Sequence, residues 1–149
     1  MKRCYFAGHS KIYDKLLEKR LEESIIKLIS EGIGEFVVSN YGAFDGLAAS
    51  VVRKLKVNYP EIRLILVLPY LTKWVNENKE LFYDKFDEIM LPEIPVNTPP
   101  RIKIIKMNEY MVKSSDALVC FVNQTFGGAY KTFKYAEKTA MEIINLAEI

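Results

Sequence analysis

A three-layer α/β architecture is the fold this sequence predicts, with a doubly wound, mainly parallel five-stranded sheet and helices on both faces. Three observations carry it. Short apolar runs alternate with stretches whose apolar residues recur at helical spacing. The run Arg63–Leu68, "RLILVL", shows no in-out alternation, as a central strand covered on both faces requires. Glycine, proline and asparagine cluster at the junctions, where a strand must hand over to a helix. Successive strand–helix–strand units then imply right-handed crossovers.

Each element follows from its local pattern. Cys4-Tyr5-Phe6-Ala7 reads as strand one, leaving through Gly8-His9-Ser10. Ile12, Leu16, Leu17, Leu21, Ile25, Leu28 and Ile29 then mark a long amphipathic helix, with Ser10 a candidate cap and Gly32 its stop. Glu35–Ser39 is strand two. After Asn40-Tyr41-Gly42 a helix from about Asp45 carries Leu47, Ala48, Val51, Val52 and Leu55, and Pro60 marks its end. Pro69 ends strand three, a short helix is expected from Lys73, and "DEIML" is strand four. The segment Leu91–Pro100 holds Pro92, Pro95, Pro99 and Pro100, so it reads as a loop. A helix is expected over Arg101–Ser114, strand five over Ala117–Val122, and a last helix over Lys131–Ala147. No repeat or linker divides the chain, so residues 1–149 are expected to form one domain.

Composition narrows the function. Of 149 residues, 50% are hydrophobic and 27% charged, the profile of a globular protein. A formal net charge of +2 argues against nucleic acid or an anionic membrane as partner. No apolar run approaches the roughly 20 residues that span a bilayer, and the start "MKRCYFAGHS" has too short an apolar core for a signal peptide. A cytoplasmic location is the expectation. Cys4 and Cys120 each sit inside a strand and read as buried structural thiols. No CxxC pair or His/Cys cluster suggests a metal, and no cofactor is expected.

In a parallel sheet the strand exits lie along one edge, where ligands of such folds sit. Here that edge would collect Gly8-His9-Ser10, Asn40-Tyr41-Gly42 with Asp45, the proline loop, and Asn123–Gly128. Gly127-Gly128 before a helix is either a turn or a place where backbone N–H groups approach an anion. Asn40-Tyr41-Gly42 has the same two readings. Asp45 either caps the second helix or faces the cleft, where its carboxylate would take ribose hydroxyls. His9, the only histidine, falls at the exit of strand one without the partners of a hydrolase triad. Both the GxxxxGK[ST] phosphate loop and the GxGxxG fingerprint are missing, which argues against a nucleoside triphosphatase and an ordinary NAD dehydrogenase.

Four segments in order carry a family likeness: "YFAGHS", "SNYGAFDGLAASVVRKL", "KMNEYMVKSSDALVCFV" and "FGGAYKTFKYAEK". Together they resemble the SLOG superfamily, which unites DprA-like and LOG-like Rossmannoid domains, and in particular its small stand-alone YpsA-like branch. The resemblance implies a Rossmann-like fold that binds a nucleotide or nucleotide-derived small molecule at the strand-exit edge. Gly8, His9 and Ser10 match the family's first exit loop. Gly42, Asp45 and Gly46 match its GGA-x-G-x-D turn, and Asn108 its R-x-N helix motif. Gly127 and Gly128 match its final glycine pair. Lys106 stands where the motif has arginine, keeping the charge but losing the fork that suits a phosphate. LOG enzymes also carry P-G-G-x-G-T-x-x-E, whose glutamate is implicated in cleaving an N-glycosidic bond. Here no acid lies in the loop, and the next is Glu137, so that reaction is not carried over.

The expectation is therefore a nucleotide-binding domain using Gly8, His9, Ser10, Asn40, Gly42, Asp45, Lys106, Asn108, Gly127 and Gly128. A second reading is an N-glycosidic-bond enzyme, a phosphoribohydrolase or nucleoside deoxyribosyltransferase, with Asp45 as its catalytic carboxylate and Glu109 and Asp116 as weaker candidates. A third is an interaction module, since nine Tyr and eight Phe would suit a homodimer interface as well as a core.

Overall fold

A computed structural model describes residues 1–9, 16–40 and 42–147. Six parallel strands run in the order β4-β3-β2-β1-β5-β6. They are β1 (Lys2–Gly8), β2 (Ile33–Val38), β3 (Arg63–Val67), β4 (Glu88–Met90), β5 (Ala117–Phe121) and β6 (Glu142–Asn145). The helices are α1 (Leu17–Ser30), α2 (Ala43–Leu55), α3 (Lys73–Glu77), α4 (Lys79–Tyr83), α5 (Pro100–Lys113) and α6 (Gly128–Glu137). The doubly wound α/β fold is as expected, with one strand more than the sequence suggested.

Period-two alternation divides the core between two faces. Cys4, Phe6, Phe36, Val38, Leu64, Leu66, Val119 and Phe121 pack in one cluster with α1 and α2. Their strand neighbours Tyr5, Ala7, Val37, Ile65, Val67, Leu118 and Cys120 pack in the other with Met107, Met111 and Val112 of α5 and Ala136 of α6. The apolar stripe of α1 is Leu17, Leu21, Ile25 and Leu28, all buried. Expected positions Ser10 and Ile12 of that helix lie outside the described residues. Both cysteines are buried and not joined in a disulfide, one in each cluster, and burial pushes the Cys4 thiol far above its ordinary range.

The sixth strand is the main correction. Met141–Asn145 was expected to continue the last helix, yet α6 ends at Glu137. Thr139 turns the chain there: its hydroxyl donates to the Ala136 carbonyl at 2.8 Å and accepts from the Met141 N–H at 3.4 Å. Ile143 and Ile144 then face opposite clusters, a strand period rather than a helical one. Asn145 clamps the new edge, its side-chain amide exchanging two 3.0 Å hydrogen bonds with the backbone of Val122. Elsewhere the differences are small. Where one short helix was expected from Lys73 there are two, α3 capped by the Thr72 hydroxyl and separated from α4 by Asn78. Pro100 occupies the first turn of α5, where a missing N–H costs nothing.

At the amino-terminal edge of the sheet, charges alternate across the strands. Glu35 on β2 pairs with Arg3 on β1 and Arg63 on β3, both at 3.3 Å, and Arg63 reaches Glu88 on β4 at 3.0 Å.

Candidate functional site

The opposite, carboxyl-terminal edge carries a cavity of about 360 Å³. It opens where the strand order reverses: β1 continues through β2 to β4 on one side, and β5 docks on the other. Loops leaving β1 and β5 must diverge at such a point, and the crevice between them is the usual ligand site of open α/β sheets.

Its floor is the end of β1, from Tyr5 to His9. Gly8 is there for packing. A Cβ on it would lie 2.3 Å from Cγ of Phe44, whose ring is wedged against Phe6 and Phe121 with centroids 6.5 and 6.4 Å away. His9 is 8% exposed, and its backbone N–H donates to the Phe121 carbonyl at 3.3 Å. Its Nε2 accepts the Asn123 N–H at 3.1 Å, which places the ring proton on Nδ1. Burial lowers the pKa of His9, so the neutral ring is favoured. One side chain thus ties the exits of β1 and β5 together.

On the α2 side, Asp45 is only 6% exposed and accepts a 2.9 Å hydrogen bond from the Ser39 hydroxyl at the end of β2. The alternative that Asp45 caps α2 does not hold: Gly42 is the cap residue and Asp45 sits inside the first turn. Among the described lining residues, Asp45 carries the one charged side chain. On the α5 side, Asn108 Oδ1 accepts from the Tyr5 hydroxyl at 2.6 Å. That bond turns the amide so that Nδ2 is the group left to offer a ligand. Opposite, Gly127 and Gly128 open α6, with Gly127 at φ +92°, a conformation that favours glycine. A Cβ at Gly128 would meet no atom within 4 Å, so the backbone there stands against open space. Thr132, 3% exposed, closes that wall, its hydroxyl donating to the Gly128 carbonyl at 2.9 Å.

Six of the expected site residues, Gly8, His9, Asp45, Asn108, Gly127 and Gly128, therefore surround one cavity. Asn40, Gly42 and Lys106 are exposed and do not line it, and Ser10 lies outside the described residues. Lys106 points away because the neighbouring Met107 takes the inward position on α5. Of the weaker acid candidates, Asp116 is at the other end of the sheet, bonded to the Arg3 N–H at 2.8 Å, and Glu109 lies outside the cavity, on a smaller hollow between α5 and α6; Glu137, the next acid after the glycine loop, pairs with Lys134. Tyr5, Ser39 and Thr132 escaped the sequence reading. Tyr5 looked like one more apolar strand residue, and only its pairing with Asn108, far along the chain, shows it at the site. Among the described residues, no three of His, Cys, Asp and Glu come together as a metal would need, and no helix is long and apolar enough to cross a membrane.

Comparison with known proteins bears on the fold and the family. The chain is 28% identical over 120 residues to a UPF0398 protein of Halalkalibacterium halodurans, covering 76% of this chain and 62% of that one. It is 25% identical over 138 residues to a UPF0398 protein of Bacillus cereus, covering 87% and 73%. The chain thus spans under two-thirds of the first of these relatives. Among solved structures, DNA processing protein A (DprA) from Streptococcus pneumoniae superposes with a TM-score of 0.68 at 12% identity, over 95% of this chain and 49% of that one. DprA from Helicobacter pylori, for which a single-stranded DNA binding mode is described, gives 0.66 at 12% identity, over 95% and 63%. At that identity the likeness is one of fold. The family model described as the YspA SLOG family matches residues 5–147. With nearly its whole length matched, the chain belongs to the YspA SLOG family.

Proposed function

We propose that this domain binds a nucleotide or nucleotide-derived small molecule in the cavity at the carboxyl edge of its sheet, in the cytoplasm. One observation supports the reading above others: a buried carboxylate, Asp45, and the glycine-led start of α6 line the same cavity. Backbone N–H groups at Gly127 and Gly128 would take the phosphate, where the helix dipole favours negative charge. Asp45 would accept two ribose hydroxyls, with Ser39 orienting it, and Asn108 would donate from Nδ2. The test is calorimetric titration with nucleoside mono- and diphosphates, NAD and ADP-ribose. Asp45→Asn should weaken binding about ten- to hundredfold, the worth of charge-assisted hydrogen bonds. An unchanged affinity would remove Asp45 from the site.

An N-glycosidic-bond enzyme is the second reading, favoured by the position of Asp45 as a buried carboxylate in a cavity of this size. Incubation with the same compounds and with deoxynucleosides, followed by chromatography and mass spectrometry, separates the two. Released base that disappears in Asp45→Asn would make the domain an enzyme. Single-stranded DNA belongs in the titration as well, because the Helicobacter pylori protein of this fold binds it.

A further inference from the structure

Charge is shared unequally between the two layers of helices. The helices packed on the first core cluster, α1 to α4, hold seven basic and six acidic residues, the interleaved mixture of an ordinary solvated surface. Those on the second cluster are different. α5 holds Arg101, Lys103, Lys106 and Lys113 against Glu109 alone, and α6 with its cap residue holds Lys131, Lys134 and Lys138 against Glu137 alone. The net charge of +2 for the whole chain conceals this segregation. We propose that the outward face of α5 and α6 binds single-stranded nucleic acid, on a surface apart from the cavity and independent of the nucleotide reading.

Four of the cations are available to a ligand. Arg101, Lys106, Lys131 and Lys138 are exposed and form no ion pair with a described residue. By contrast, Lys134 pairs with Glu137 at 2.9 Å, and Lys103 lies over the Tyr70 ring, 5.2 Å from its centroid. Aromatic rings stand among the charges. Lys106, Tyr110 and Lys113 follow one another at helical spacing on the outward side of α5, with Tyr110 45% exposed. Lys113 reaches across to α6, its Nζ 5.9 Å from the centroid of the Tyr135 ring, so the two helices present adjoining faces. Neither these three residues of α5 nor Arg101, Lys131 and Lys138 line the cavity. Cations to hold phosphates and a ring on which an unpaired base stacks are what single-strand binding requires. A duplex, whose bases stack on one another, makes no use of Tyr110. An anionic membrane calls for a broad apolar outer face. Here Met107, Met111 and Val112 turn inward, and Ile102 and Tyr110 are the large apolar side chains left exposed on α5.

Fluorescence anisotropy of a labelled oligo-dT, about 20 nucleotides long and titrated with the intact chain, tests the assignment. Four phosphate contacts give log K a slope of about −2.8 against log salt, so affinity should fall about fiftyfold from 50 to 200 mM salt. Lys106→Gln with Lys131→Gln should weaken binding about tenfold or more and flatten the slope to about −1.4. Lys73→Gln with Lys79→Gln makes the same change of net charge on the opposite layer and should leave binding nearly as it was. Tyr110→Ala should cost about five- to 150-fold with the slope unchanged, the mark of a stacked base. No binding by the unaltered chain, equal losses in the two paired variants, or a Tyr110→Ala protein that binds as tightly as the unaltered one would each overturn the proposal. Cosedimentation with phosphatidylcholine vesicles holding about one-third phosphatidylserine, in place of oligonucleotide binding, would overturn it in favour of a membrane surface. The nucleotide reading is decided separately, by its own titration with mononucleotides.

Discussion

Replacing Gly8 by alanine should cost this fold more than any exchange of so few atoms elsewhere in the sheet. The new Cβ would lie 2.3 Å from Phe44 Cγ and 2.5 Å from its Cβ and Cδ2, where carbon atoms normally stand about 3.5–4.0 Å apart. Phe44 is fully buried and held between Phe6 and Phe121, so its ring has nowhere to turn and α2 as a whole must move by about 1 Å. Overpacking of this kind costs about 1–3 kcal/mol. For a chain of this length each kcal/mol moves the melting temperature by about 2–4 °C, so a loss of roughly 2–12 °C is expected. Gly46→Ala is the internal control. It lies in the same helix with no atom within 4 Å of its would-be Cβ, and should stabilise by about 0.5–1 kcal/mol. Urea midpoints and thermal melts of both variants measure the pair. A Gly8→Ala protein as stable as Gly46→Ala would refute the claim that β1 and α2 meet this closely. Because Asp45 follows Phe44 directly, the same shift should weaken ligand binding as well.

The remaining predictions concern the α6 loop, pH and salt. Gly127→Ala forces a Cβ into a φ of +92° and should lower stability by about 1–2 kcal/mol in urea titration. Gly128→Ala, whose Cβ meets nothing, should keep its melting temperature but bind ligand more weakly, as it fills cavity space. The pKa of His9 is lowered in the fold, so the unfolded chain takes up the proton more readily; its contribution to stability is present above about pH 6.5 and lost on acidification. Protonation also removes the Nε2 lone pair that holds the Asn123 N–H, so melting temperature should fall between pH 7 and pH 5, and less so in His9→Gln. Glu35→Gln leaves Arg3 and Arg63 without their shared partner and should cost about 1 kcal/mol at low salt. The cost should shrink only in part in 1 M salt, because Glu35 and Arg3 are largely buried and only Arg63 is well exposed to screening.

Much of this architecture was legible because local pattern reports local structure. An unbroken apolar run such as Leu64–Leu68, too short for a helix and closed by Pro69, fits a strand with both faces covered, and glycine or proline at the strand exits says where each must stop. The six expected residues found at the cavity all sit at or near strand exits or on α5, and a parallel sheet gathers its exits along one edge whatever their separation in the chain. What the tertiary structure decided were matters of partnership. Met141–Asn145 is short enough to read as helix or strand, and it became β6 because the outer edge of β5 had unpaired backbone groups to accept it. Lys106 and Asn108 are two residues apart on one helix, so only the rotation of α5 against the sheet determines that Asn108 faces the cavity and Lys106 the solvent. Tyr5 joins the site through a hydroxyl bond to Asn108 on another element, and a contact between residues so distant in sequence leaves no periodic trace in either segment. Asp45 was visible as a carboxylate at a junction; its burial, and its bond from Ser39, came from how α2 docks across the end of β2.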